Sequence, residues 1–353
     1  MSIREFYKGR KVLITGHTGF KGSWLCSVLL EFGADICGIG LQPTSKMNLF
    51  DQLSLCNKIS SHNILDIRNY DEVKKIFESF KPEIVIHLAA QPLVIDSYNY
   101  PRYTYDVNVM GTVNICECVR LSKTVVSFVN VTTDKVYENN EVEDYSFTEK
   151  DRLNGFDPYS NSKSCSELVT DSYKKSFFNN QRVAVSTCRA GNVIGGGDYS
   201  MNRLIPDCIK ACRQNEPILI RNPNSIRPFQ HVLEPDLMYL KIAAMQTMDF
   251  KIACNYNIGP KLEDCVTVEK LCQLFCEIWK EGANYSIIDK TGPHESNFLK
   301  LNCDKISKNL NWRPTWSINE AIEKVIEWEK YENKIEITKI QINDFINLSE
   351  MYG

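Results

Sequence analysis

The chain has 353 residues and 43% hydrophobic content, enough for one large or two ordinary domains around a packed core. A net charge of −3, with no Lys/Arg run interleaved with aromatics, sets nucleic acid aside as the main partner. The start, "MSIREFYKGRKVLIT", lacks the unbroken apolar stretch of a secretory leader, and no segment approaches roughly 20 apolar residues, so a soluble cytoplasmic protein with no membrane partner is expected.

The first apolar run, "KVLIT", leads into "GHTGFKG" and then a helix from about Phe20. Three glycines, Gly16, Gly19 and Gly22, stand where a strand hands over to a helix. Such a junction aims backbone N–H groups and the positive end of a helix dipole at one point, and glycine lets an anion approach without meeting a Cβ. The spacing is GxxGxxG rather than the usual GxGxxG, and it points to a dinucleotide pyrophosphate. Lys21, inside the loop, is a candidate pyrophosphate ligand, with His17 beside it.

The second run, "DICGIGL", continues into "QPT" without the acidic residue that would take a ribose 2′-hydroxyl, which leaves NAD and NADP both open on physical grounds. "EIVIHLAA", a helix from about Pro101, "VVSFVNVTT", a helix from about Pro158 and "RVAVSTCRA" complete a strand–helix alternation. Continuous apolar strands joined by helices predict a doubly wound, parallel Rossmann-type α/β sheet. After Ala190 the rhythm breaks into Pro- and Asn-rich pieces, followed by helices near 267–281 and 318–332. The expected division is a dinucleotide-binding domain over 1–190, with returning segments near 228–258. A smaller interleaved substrate-binding lobe would take 191–227 and 259–353. The 14 cysteines are scattered, with no CxxC pair, which predicts reduced core thiols and no metal site.

Two stretches carry chemistry. "DPYSNSKSCSEL" puts Tyr159 and Lys163 four residues apart at a helix start, on one face. There an ammonium can lower the phenol's pKa and hold a nicotinamide ribose while the phenolate takes a proton from a sugar hydroxyl. "VNVTTDKVYEN" places Thr132, Thr133, Asp134 and Lys135 at the carboxyl end of a strand, where open α/β sheets bind ligands.

Together with "HLAAQ" (87–91), "RAGNVIGGGD" (189–198), "RLIPD" (203–207), "IRNPNSIRPFQHV" (220–232) and "GPHESNFLKL" (292–301), these motifs resemble the extended short-chain dehydrogenase/reductase superfamily. They are most similar to the 4,6-dehydratases of its nucleotide-sugar-modifying branch. The resemblance implies NAD as a recycled cofactor. It would be held by Gly16, His17, Gly19, Phe20, Lys21 and Gly22 at the pyrophosphate, Asp66 and Ile67 at the adenine, and Leu88, Ala89 and Ala90 along its length. Asn108, Thr132, Tyr159 and Lys163 would surround the nicotinamide ribose.

It further implies a CDP-linked glucose as substrate, oxidised at C4 with Tyr159 as base, then losing water across C5 and C6 before hydride returns to C6. Thr133, Asp134 and Lys135 join Tyr159 and Lys163 as the implied catalytic set. Asp134 would be the acid, and Lys135 either a base, a water-mediated base or a cation that stabilises the enolate. Gln91 near the hexose, Asn192, Arg203, Arg227 and His231 at the diphosphate, and His294 with Glu295 near the ribose are the implied substrate ligands. Relatives pair through helices matching 101–121 and 160–178, so a homodimer or higher oligomer built on a four-helix bundle is expected. A nucleotide-sugar 4-epimerase and a dinucleotide-binding protein without catalysis are the competing readings. The Asp–Lys pair argues against the first and the retained Tyr159 and Lys163 against the second.

Overall fold

The computed structural model describes residues 2–288 and 296–352. Six strands form the body of a sheet: β1 (Lys11–Thr15), β2 (Asp35–Gly40), β3 (Ser61–Ile64), β4 (Ile84–His87), β5 (Ser127–Val131) and β6 (Ala184–Ala190). Their spatial order is 3-2-1-4-5-6, and a seventh strand, Tyr256–Ile258, extends the sheet beyond β6. Every pairing is parallel. The doubly wound sheet expected from the alternation is therefore present, and the order reverses between β1 and β4, where this architecture opens a crevice.

Alternation of side chains along β1 feeds two cores. Val12 and Ile14 join Trp24, Leu25 and Leu29 on one face, while Leu13 joins Ile39, Val85, Ile115 and Phe128 on the other. The first face is covered by helices Phe20–Glu31, Leu233–Met248 and the C-terminal Lys334–Tyr352, whose Ile337, Ile342 and Phe345 enter the same cluster. The second is covered by Tyr70–Phe80, by the run from Pro101 to Leu121 and by Pro158–Tyr173. A separate core, built from helices Leu204–Gln214, Val268–Trp279 and Ile318–Lys330, holds the smaller lobe.

The two helices expected late in the chain thus occur, at Val268–Trp279 and Ile318–Lys330. The helix expected from Pro101 also occurs, but with one π turn at Asp106–Met110. None of the cysteines is disulfide-bonded, and eight of the 14 are buried, as core thiols should be. Among the described residues no helix is long and apolar enough to cross a membrane, and no cluster of His, Cys, Asp and Glu is suited to a metal ion.

Candidate active site

A cleft of about 970 Å³ runs along the carboxyl ends of β1, β4, β5 and β6, roofed by the smaller lobe. At its floor, Gly16 turns with φ +78°, a conformation a side chain resists. A Cβ there would stand 2.8 Å from the Ala89 nitrogen. The turn is pinned to β4 because the Ala89 N–H donates to Thr15 Oγ1 (3.1 Å), and that hydroxyl lies 2.6 Å from His87 Nδ1. Leu88, Ala89 and Ala90 are thereby set beside Gly19, Phe20, Lys21 and Gly22, all lining the cleft. Gly19 caps the following helix with no side-chain acceptor, so the helix presents its N-terminal end to an anion. Asp66 and Ile67 line the same end, with Asp66 lowered in pKa by its pairing to Arg68 (2.7 Å).

At the other end the catalytic candidates converge. Helix Pro158–Tyr173 begins cleanly because Asp157 accepts from the Ser160 N–H (3.0 Å) and Pro158 supplies a preset φ. It projects Tyr159 and Lys163 into the cleft beside Thr132, Thr133, Asp134 and Lys135. The Lys163 ammonium donates to the Val131 carbonyl (3.1 Å), and burial brings its pKa down to about 8. Burial pushes the Tyr159 pKa up to about 12 against the lowering influence of Thr133 and Arg203, so the phenol is not lowered by Lys163 as its spacing suggested, the ammonium being turned to the Val131 carbonyl. Thr133 Oγ1 donates to Asp134 Oδ1 (2.9 Å). Asp134 is 1% exposed, its Oδ2 has no hydrogen-bond partner, and burial raises its pKa against the lowering influence of Lys135 and Thr133.

Four expected ligands do not line the cleft. His17 is fully buried, its ring lying against Gly38 and Gly40 with Nε2 2.7 Å from His62 Nδ1. Gln91 spends its amide on Leu93 and Thr104 (3.1 and 2.9 Å). Asn108 sits in the π turn, accepting from the Gln91 N–H (2.8 Å) and donating to the Gln91 carbonyl (3.1 Å) and Ser162 (2.9 Å). It joins the wall to the catalytic helix from behind. His231 is edge-on to Trp24 and Trp316, ring centroids 5.7 and 4.7 Å away, and burial holds its pKa at about 3. It is a neutral core histidine, not a diphosphate ligand.

Asn192, Arg203 and Arg227 do line the cleft. His294 and Glu295 lie outside the described residues. Lys21 directs its ammonium to the Tyr239 hydroxyl (3.1 Å) above the buried Asp236.

Three residues outside the expected set belong to the site. Glu167 carries the hydroxyl of Thr132 (2.5 Å). It stands four residues after Lys163, on the face shared with Tyr159, which was a usable signal. Asp198, the last residue of "RAGNVIGGGD", pairs with Arg203 (3.1 Å). Asp236 lies beneath Lys21 and had no local signal, because 215 positions separate the two in sequence.

Residues 13–325 match the family model described as GDP-mannose 4,6 dehydratase. A CDP-glucose 4,6-dehydratase of Salmonella typhimurium is 41% identical, covering 98% of this chain and 99% of the relative. Among solved structures, the UDP-glucose 4-epimerase of Thermotoga maritima with UDP-glucose superposes with TM-score 0.78 at 20% identity, covering 90% of this chain and 98% of its own. The dTDP-glucose 4,6-dehydratase of Bacillus anthracis in complex with NAD gives 0.74 at 19%, covering 94% and 100%.

Proposed function

The chain belongs to the GDP-mannose 4,6 dehydratase family, and from that premise we propose that it converts CDP-glucose to CDP-4-keto-6-deoxyglucose by loss of water. The observation that carries this reading is Asp134: a buried carboxyl, raised in pKa by burial, with one unpartnered oxygen and bonded to Thr133, which lines the cleft together with Tyr159. A dehydratase needs a proton donor for the departing C6 hydroxyl beside the group that acts at C4. An epimerase needs only the latter. Supporting the CDP-glucose assignment is the name of a relative that matches nearly the whole chain.

NAD fits the floor of the cleft, where the Gly16 turn, the uncapped helix start and Leu88–Ala90 leave room for a dinucleotide. When bound it supplies a hydride acceptor that gives the hydride back. Gly19, Phe20 and Gly22 would hold its pyrophosphate, Asp66 and Ile67 its adenine side, and Lys163 a ribose. Tyr159 takes the proton of the C4 hydroxyl, assisted by Thr133 and Arg203. The C5 proton then passes through a water to Lys135, its electron pair forms the C5–C6 double bond, and the C6–O bond breaks as Asp134 gives its proton to the departing hydroxyl, which leaves as water. Asn192, Arg203 and Arg227 address the diphosphate from the smaller lobe.

The reading also takes residues 1–190 with the returning segments near 228–258, joined by the C-terminal helix Lys334–Tyr352 that packs on the same sheet, as the cofactor domain and the rest as the substrate lobe. It makes the protein a homodimer across the helices Pro101–Leu121 and Pro158–Tyr173. These lie side by side, tied by Asn108 to Ser162 (2.9 Å) and Tyr105 to Asn161 (3.0 Å), and they leave Met110 and Leu168 49% and 56% exposed.

Mass spectrometry of CDP-, dTDP-, UDP- and GDP-glucose, each incubated with the protein and NAD, tests the function. Loss of one water from CDP-glucose alone is expected. Loss from another nucleotide moves the substrate, and unchanged mass with an epimeric product overturns the dehydratase.

A further inference from the structure

The loop at 195–198 is held more firmly than a substrate-lobe loop requires. The Trp24 indole donates to the Gly196 carbonyl (3.0 Å), and the place of a Cβ on Gly196 is taken by the Trp328 ring at 2.1 Å. Trp328 is fully buried and donates from Nε1 to Thr338 Oγ1 (2.9 Å) on the C-terminal helix. The loop is thus clamped between the cofactor-domain helix on one side and the C-terminal hairpin of helices on the other. Rigidity of this kind fixes whatever the end of the loop carries.

The loop ends at Asp198, 5% exposed. Its Oδ1 accepts from the Ser200 N–H (3.0 Å) and its Oδ2 takes Arg203 Nη1 (3.1 Å). Arg203 is the capping residue of helix Leu204–Gln214 and keeps 32% of its side chain exposed, facing the cleft that both residues line. Tyr159 and Lys21 line the same cleft as Arg203. An arginine has five N–H donors in a planar fork. One nitrogen given to Asp198 fixes the plane and leaves the rest of the fork for a ligand.

We propose that Asp198 is a positioning residue, holding the Arg203 guanidinium preset over the cleft to receive the diphosphate of the nucleotide sugar beside Tyr159. The inference rests on the nucleotide-sugar reading above. A free arginine side chain gives up rotamer freedom each time it closes on a ligand, and the clamped carboxylate removes most of that loss in advance. Asp198 stays off the diphosphate itself, since two anions in contact would repel.

The test is a double-mutant cycle of Asp198→Asn and Arg203→Gln, read as CDP affinity by calorimetry, KM and kcat for CDP-glucose, and thermal midpoint. Asn keeps the acceptor for the Ser200 N–H and the shape of the loop, so the midpoint should hold. D198N should weaken CDP binding and raise KM by about tenfold, as removal of one charge-assisted hydrogen bond does, with kcat within a few-fold. In the R203Q background the same change should cost nothing further.

Unchanged affinity in D198N overturns the proposal, and so does an equal loss in both backgrounds. A wild-type chain that binds CDP but leaves CDP-glucose unaltered would sink the function reading while the CDP affinities still decide the role of Asp198. A wild-type chain that fails to bind CDP overturns both.

Discussion

Arg189 forks onto Glu167, its Nε and Nη2 each 3.0 Å from a different carboxylate oxygen, with both side chains 1% exposed. The two oxygens also take the hydroxyls of Thr132 (2.5 Å) and Thr187 (2.6 Å), and Arg189 Nη1 donates to the Tyr137 hydroxyl (2.9 Å). Thr132 and Tyr137 bracket the segment that carries Asp134 and Lys135, so this buried pair fixes the loop on which the chemistry depends.

Removing one member of such a pair strands a charge away from water. Arg189→Met should lower unfolding free energy by about 3–5 kcal/mol, whereas Arg189→Met with Glu167→Leu should recover a large part of it. Urea unfolding of the two variants checks this, and equal losses in both would contradict it.

Asp134→Asn keeps the Thr133 hydrogen bond but has no acidic proton to give. Water loss from CDP-glucose should fall by about 100-fold or more, the usual share of a positioned general acid. Oxidation at C4, followed as reduced nicotinamide absorbance in a single turnover, should persist. Loss of both activities together would show that the carboxyl serves the first step as well.

The parts legible in the sequence are those whose signal is local. Gly16 to Gly22 form one turn, Tyr159 and Lys163 are one helical turn apart, and Thr132 to Lys135 end one apolar strand. His231 misled because its neighbours are not local: Trp24 and Trp316 close around it from 207 positions before and 85 after. His17 looked like a loop ligand, yet Gly38 and Gly40 open a slot beneath β2 that its ring fills. Gln91 and Asn108 are bonded to each other and do not line the cleft, and Asn108 sits in the π turn at Asp106–Met110, which periodicity alone does not announce.

A homodimer through this pair of helices would cover apolar side chains that a monomer leaves in water. Leu168 is 56% exposed and Met110 49%, on adjacent helices. Light scattering should give twice the chain mass, and Leu168→Arg should shift the protein toward single chains by placing charge in the seam. A wild-type mass equal to one chain would refute the bundle.

Glu234 gives stability a pH dependence of its own. It is 1% exposed, and its Oε1 accepts from the N–H groups of Thr315 and Trp316, both at 2.8 Å, while Oε2 has no partner. Burial, reinforced by the like charges of Glu320 and Asp264, raises its pKa to about 8 from an ordinary 4.5. A carboxyl raised on folding binds its proton more tightly in the native state than in the unfolded chain. Its contribution is therefore complete below about pH 4.5 and is lost as pH rises through about 8. Across that window the Glu234 share should fall by up to about 1.4 kcal/mol per pH unit. Glu234→Gln keeps a carbonyl for both N–H donors and cannot ionise, so urea unfolding should show wild type losing stability relative to the variant from pH 5 to 8. Parallel curves for the two proteins would mean that Glu234 is ionised in the native state, held so by the two backbone donors.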